Sequence, residues 1–387
     1  MRTFFAYSGN TLHRITRATI MIRLSLKTLS IVLIALACLL AVPAGAAQIT
    51  YQMVTVGNPG NANDPATGSV YGRVDYSYQI GKYNVTIAQY TAFLNAADPD
   101  GTNPNGIYKG PMGTDRNNAG ISFDAEALRG FKYAAIGPFG ITNGQSTGNR
   151  PIAYVSWYDA ARFANWMTNG QGSGSTETGA YDFANAPAGM APAKTPGAAF
   201  YIPTENEWYK AAYYAPNYSS PYDSPNLGGP GSPSVPGYYA YATQSDTAPG
   251  NTIGGDANQA NYLVNVSDPD QNYLTDVGAF TNSASYYGTF DQSGNLYQWN
   301  DLDGASGSTR GYRGGRYGNY EAGPLSSSQR GEDPSFWYGN YYTTFRLAGP
   351  VSNPSSVPEI DPNSLGSVLA LVLGSLGLLE RRRLKAA

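Results

Sequence analysis

Three helix-capping signatures, separated by long tracts with no periodicity, limit what this chain can fold into. In Thr86-Ile87-Ala88-Gln89, Ser156-Trp157-Tyr158-Asp159 and Thr204-Glu205-Asn206-Glu207 a hydroxyl can accept from the amide three residues on, while the side chain there reaches back. Each pair satisfies two of the orphan N–H groups that open a helix. Apolar residues then recur at helical spacing: Ile87, Tyr90, Phe93 and Leu94; Trp157, Ala161, Ala164 and Met167; Trp208, Ala211 and Ala212. These faces read as core. Between them, 169–198 is rich in Gly, Ser, Ala and Pro, and 215–260 holds Pro, Gly and Tyr; aperiodic tracts this long are uncommon inside a compact domain. Short extended stretches are expected at 49–56, 76–80, 200–202, 312–316 and 343–348. The expected class is α+β with few regular elements and long loops, not a parallel α/β wind. The 46 Gly and 26 Pro agree with that, and 32 Tyr with only 13% charged residues exclude a disordered chain.

The two ends read as addresses. In residues 1–47, Arg14, Arg17, Arg23 and Lys27 precede the apolar run 29–42, and Ala44-Gly45-Ala46 offers small residues for cleavage; this is the order of a secretory signal, with Met21 as an alternative start. At the other end, 351–363 is a linker that carries Pro358-Glu359, and 364–387 contains the apolar run 365–379 followed by Arg381-Arg382-Arg383. About 15 apolar residues at ~1.5 Å each fall short of a ~30 Å bilayer core, so an anchor there would be marginal. The order resembles a PEP-CTERM sorting tail, with Pro358-Glu359-Ile360 where Pro-Glu-Pro is usual. That resemblance implies an exosortase-like processing protease and export to the cell envelope, outer surface or matrix, with membrane contact only through the tail before processing.

Between the addresses lie residues 48–350, long enough for one substantial core. The single Cys (Cys38) and single His (His13) both fall in the export segment. The remainder therefore has no disulfide, no Cys or His metal site and no Ser-His-Asp or Cys-His nucleophile. Lys+Arg number 15 and Asp+Glu 24 in 48–350, a net charge near −9, which argues against nucleic acid as a partner and suits divalent cations.

The segments 80–96 (IGKYNVTIAQYTAFLNA), 150–167 (RPIAYVSWYDAARFANWM), 201–214 (YIPTENEWYKAAYY), 291–301 (DQSGNLYQWND), 312–319 (YRGGRYGN) and 343–349 (TTFRLAG) together resemble the formylglycine-generating enzyme (sulfatase-modifying factor) domain, in that family's order and across nearly all of 48–350. The resemblance implies a C-type-lectin-like fold. It also implies copper held by two cysteines, in a C-x4-C-x2-R arrangement; with Arg330 as the arginine, those positions fall on Ala322 and Ser327. Neither supplies the thiolate that Cu(I) prefers, so copper and formylglycine formation are not expected. Calcium is the family chemistry that the residues could still support. One implied site takes Asp291, the Gly294 and Leu296 carbonyls and Gln298, where positions spaced by two in an extended segment point one way. A second takes Asn261, the Tyr262 carbonyl and Asp270. The alternative is that Asp291 and Gln298 only hydrogen-bond a loop.

Carboxylates at Glu205, Glu207, Asp301, Asp303, Glu332 and Asp333 raise hydrolysis as a further possibility, although Glu207 is better explained as a helix cap. Two function classes remain. One is a non-catalytic surface binding or structural module, contacting glycan, peptide or exopolysaccharide matrix through the groove or the Tyr-rich loops (Tyr213, Tyr214, Tyr218, Tyr238, Tyr239, Tyr286, Tyr287, Tyr338, Tyr341, Tyr342). The other is an enzyme with altered, metal-assisted oxidoreductase chemistry on the same scaffold.

Overall fold

The computed structural model describes residues 48–137, 146–218, 237–264 and 273–351. The export signal, the linker with Pro358 and Glu359, the C-terminal apolar run and Asp270 lie outside the described residues. Among those described, no helix is long and apolar enough to cross a membrane.

All three capping boxes form. Helix α1 (Ile87–Ala97) starts at Thr86, α2 (Trp157–Thr168) at Ser156 and α3 (Glu205–Tyr213) at Thr204, each with both reciprocal bonds in place. The Glu207 carboxylate accepts from the Thr204 amide at 2.8 Å and from the hydroxyls of Tyr201 and Tyr76 at 2.8 and 2.9 Å, so it is a buried cap. The apolar faces read from spacing are all buried. Phe93 and Phe163 meet edge-on at 5.4 Å where α1 crosses α2, with Trp166 tilted against Phe93 and Phe345 edge-on to Phe163. Each such ring stabilises the fold by about 1.5–3 kcal/mol through burial.

The strands are short. β1 (Met53–Val56), β2 (Tyr78–Gly81), β3 (Ile121–Phe123), β4 (Tyr133–Ala135), β5 (Tyr214–Ala215), β6 (Gly237–Tyr238), β7 (Tyr297–Asn300), β8 (Arg310–Arg313), β9 (Gly331–Asp333), β10 (Thr343–Thr344) and β11 (Ala348–Pro350) make two small sheets and two hairpins. One sheet has the order β1-β2-β11, all antiparallel; the other is β10-β7-β8-β9, with only β10 and β7 parallel. The expected stretch 200–202 contributes a single bridge, Tyr201 to Ala348. The one expected at 312–316 ends early at Arg313, because Gly314 and Gly315 take φ of 100° and 72°. Only glycine suits them: a Cβ on Gly314 would sit 2.9 Å from the Gln292 carbonyl oxygen, and one on Gly315 would sit 2.6 Å from Leu325 Cδ1.

Candidate functional site

The Gly314-Gly315 turn leads the chain out of β8 towards the positions where the resemblance places a copper pair. Ala322 packs there with Ala260, Tyr262 and Leu325. Ser327 is buried, and its carbonyl accepts from Arg313 Nη1 at 3.1 Å. Arg330 faces a carboxylate. Its guanidinium forks onto Glu205, Nε to Oε1 and Nη2 to Oε2, both at 2.9 Å. Arg313 Nε reaches the same Oε1 at 2.7 Å, and the Tyr71 ring lies against both guanidinium groups at 4.8 and 5.3 Å. The residues present do not fit a redox metal, and an arginine–glutamate–arginine cluster occupies the locus. Among the described residues no group of three or more Asp, Glu, His or Cys is placed to hold a metal.

The calcium expectation at 291–298 meets the same kind of obstacle. Gly294 and Asn295 adopt φ of 85° and 63°, so 294, 296 and 298 do not lie on one extended face, and β7 begins only at Tyr297. Gln298 Oε1 is taken by Trp208 Nε1 at 2.8 Å and Arg346 Nε at 2.7 Å, while its Nε2 donates to the Asp291 carbonyl. Leu296 is buried against Ala153, Leu274 and Tyr317. As placed, the Gln298 oxygen faces the Arg346 guanidinium, and the Gln298 amide and Asp291 carboxylate are held by hydrogen bonds within the protein. Around the second expected site, Asn261 Nδ2 donates to the Tyr273 carbonyl and to Asn295 Oδ1, and the Tyr262 carbonyl accepts from Asn251.

Burial pushes the Asp291 carboxyl up to about 6, against a partial opposing effect of the Gly278 amide at 2.8 Å and the Arg346 charge. A raised folded-state value means that the native chain holds a proton which the unfolded chain has released between pH ~3.9 and about 6. Stability from this group is therefore fully present at low pH and is lost as pH rises through 6. Asp291→Asn is expected to flatten the stability difference between pH 4 and pH 7, read by urea unfolding across that range. A variant with the wild-type profile would contradict the assignment.

The carboxylates named from the sequence are all engaged by protein groups. Glu205 and Glu332 share Arg330; Asp301 is ion-paired with Arg310 at 3.0 Å and accepts from Tyr181. Asp303 and Asp333 each cap a turn amide. The Tyr-rich loops divide. Tyr213, Tyr214 and Tyr238 belong to a buried cluster with Trp208 and Tyr209, a correction to their reading as recognition surface, while Tyr286, Tyr338 and Tyr341 are exposed.

A more open arrangement lies beside the Gly314-Gly315 turn. A cleft of about 470 Å³ is lined by Asp115, Asn118, Tyr154, Arg316, Tyr317 and Tyr341, with Tyr320 at its rim. The Arg316 guanidinium sits 5.7 Å from the ring centres of Tyr317, Tyr341 and Tyr342; among the described residues it has no carboxylate within ion-pair distance. Tyr320 is 78% exposed. Asn118 donates to the Tyr317 hydroxyl at 2.9 Å, yet its buried Oδ1 has no protein partner. Tyr154 carries φ of 65°, a left-handed conformation that costs a bulky residue about 1–3 kcal/mol. Its amide donates to the Asn340 carbonyl at 3.0 Å and its hydroxyl to Asp115. Gly339 presses so closely that a Cβ there would lie 2.1 Å from the Tyr154 carbonyl oxygen. None of Asp115, Asn118, Tyr154 and Arg316 stood out in the sequence; an arginine between a glycine pair and a tyrosine was the one local sign.

Among solved structures, the chain is similar to CarF, with 19% identity, 79% of this chain and 100% of that chain covered and a TM-score of 0.43. It is also similar to Treponema denticola variable protein 1 (17%, 80% and 99%, TM-score 0.42) and to PvdO from Pseudomonas aeruginosa (15%, 78% and 93%, TM-score 0.35). No curated protein matches it. The family model described as a sulfatase-modifying factor enzyme 1-like domain matches residues 38–348. With four-fifths of its length matched by that model and a mixed α+β fold of scattered small sheets, the chain belongs to the sulfatase-modifying factor, or formylglycine-generating enzyme, domain family.

Proposed function

We propose that this family member is an exported, non-catalytic binding module that takes an acid-bearing sugar in the Tyr-lined cleft. The observation that carries the reading is Arg316: a guanidinium among three tyrosine rings, with no carboxylate within ion-pair distance among the described residues, is a ready partner for a ligand carboxylate. The walls favour a sugar. Tyrosine faces suit the C–H faces of a pyranose, Asp115 and Asn118 offer acceptor and donor groups for hydroxyls, and the cleft has no aliphatic side chain among its described lining residues to seat a peptide's apolar group. The strained Tyr154 backbone at the same cleft supports a functional role. Loss of the thiolate positions to Ala322 and Ser327 supports the absence of oxidase chemistry, and the two terminal addresses support export.

A glycan array probed with the full chain is expected to give signals concentrated on carboxylate-bearing sugars. Arg316→Ala is expected to weaken the strongest of them by about tenfold or more, the scale of a lost charge-assisted bond. Equal signals on neutral and acidic glycans, or no effect of the substitution, would overturn the reading.

A further inference from the structure

The cleft at Arg316 does not end at Tyr273. That residue also lines a larger cleft of about 670 Å³, which includes Asn149, Arg150, Asn251, Thr275 and Asp276. The Tyr273 ring lies 5.2 Å from Tyr317, tilted by 34°, so the two spaces meet over a pair of adjoining rings. Arg150 in the second cleft differs from Arg316 in having a carboxylate at the edge of ion-pair distance, yet it too has donors to offer. Its Nε and Nη1 are buried without a hydrogen-bond partner, and the nearest carboxylate, Asp276, is 3.9 Å away with its side chain half exposed. The Thr275 hydroxyl is also buried and unpartnered. A buried guanidinium with unmet donors is costly unless something supplies acceptors, and burial already pulls its pKa down. Two arginines flank a shared aromatic partition, Arg150 with buried unmet donors and Arg316 with no ion-pair partner among the described residues, an arrangement that suits a ligand with repeated anionic groups along a chain.

Building on the proposed sugar-binding role of the first cleft, we infer that the two clefts form one groove for an acidic polysaccharide, with one carboxylate at Arg316 and another, further along the chain, at Arg150. An acidic peptide would offer repeated carboxylates too, and the second cleft, which Ile253, Val264, Leu274 and Phe280 also line, has apolar surface for it; the first cleft, walled by tyrosine faces and short polar groups, favours the sugar, and poly-glutamate in the test below separates the two. The net charge near −9 over 48–350 works against non-specific capture of any polyanion, so the recognition must be local to these arginines.

The test is calorimetric titration of the full chain with oligogalacturonates of two and six units, with neutral oligogalactose of six units, and with poly-glutamate. The hexa-uronate is expected to bind about tenfold more tightly than the di-uronate, because a second charged contact forms. Arg150→Gln, which keeps most of the side chain's bulk, is expected to weaken the hexa-uronate by about tenfold and so abolish the gain with length; its melting temperature, measured alongside, shows whether the fold is kept. Should Arg150→Gln unfold the chain, Thr275→Val is expected to reduce the same gain by a smaller factor. Equal affinity for two and six units, or an unchanged gain in the folded variants, would overturn the groove while leaving the Arg316 cleft standing. Tight binding of poly-glutamate in place of the uronates would overturn both, and so would binding of the neutral hexamer as tight as that of the hexa-uronate.

Discussion

Glu205→Ala is expected to lower the stability of the domain by about 3–5 kcal/mol, the usual consequence of stripping the counter-charge from buried arginines. The Arg313 side chain is 1% exposed and that of Glu205 6%. With the carboxylate gone, Arg313 keeps its bonds to the Ser327 and Gln329 carbonyls and its place near the Tyr71 and Tyr209 rings, none of which neutralises it. Arg330 is far better off, since its side chain is 29% exposed and still has Glu332 at 2.6 Å. The reciprocal variant Arg330→Ala is therefore expected to lose only about 1 kcal/mol. Thermal unfolding should show the contrast as a fall of about 10 °C for Glu205→Ala and a few degrees for Arg330→Ala. Equal losses would mean that the Arg313 contact contributes little.

Arg346→Ala is expected to destabilise the fold by at least about 4 kcal/mol, and Arg346→Lys by nearly as much. This guanidinium is wholly buried and spends its donors on Gln298 Oε1 at 2.7 Å, the Gly81 carbonyl at 2.9 Å, Asn84 Oδ1 at 3.0 Å and the Phe290 carbonyl at 2.6 Å. Each oxygen left bare costs about 1–3 kcal/mol, and the lost stem leaves a cavity on top. Lysine cannot reproduce a planar fork that faces four acceptors at once. Urea titration of both variants measures the loss. A lysine variant within 1 kcal/mol of wild type would show that the charge, not the fork, is what the site needs.

Local rules made part of this molecule legible. The capping boxes at Thr86, Ser156 and Thr204 need only four consecutive residues, and the faces that follow need only helical spacing, so α1, α2, α3 and their core sides could be read directly. The strands were harder. Runs of two to four residues give a period of two little room to appear, which is why 200–202 shrank to one bridge and β3, β4, β5 and β6 gave no warning. Distant partnerships gave no local sign at all: Glu205 meets Arg313 and Arg330 across more than 100 residues, and Gln298 meets the Arg346 guanidinium 48 positions on. Tyrosines in the loops carry no periodicity that separates Tyr238, which is buried, from Tyr341, which is not. The open cleft at Arg316 was invisible for a similar reason, since nothing adjacent in the chain announces that an arginine lacks a carboxylate.

β11 lies beside β2, some 270 positions earlier, and the Leu347 amide just before it donates to the Tyr51 hydroxyl at 2.9 Å. The sheet that closes over α1 and α2 is thus unfinished until nearly the last described residue has been supplied. A chain emerging N-terminus first must wait with its aromatic centre partly uncovered, the slow and aggregation-exposed situation of any topology rich in long-range pairings.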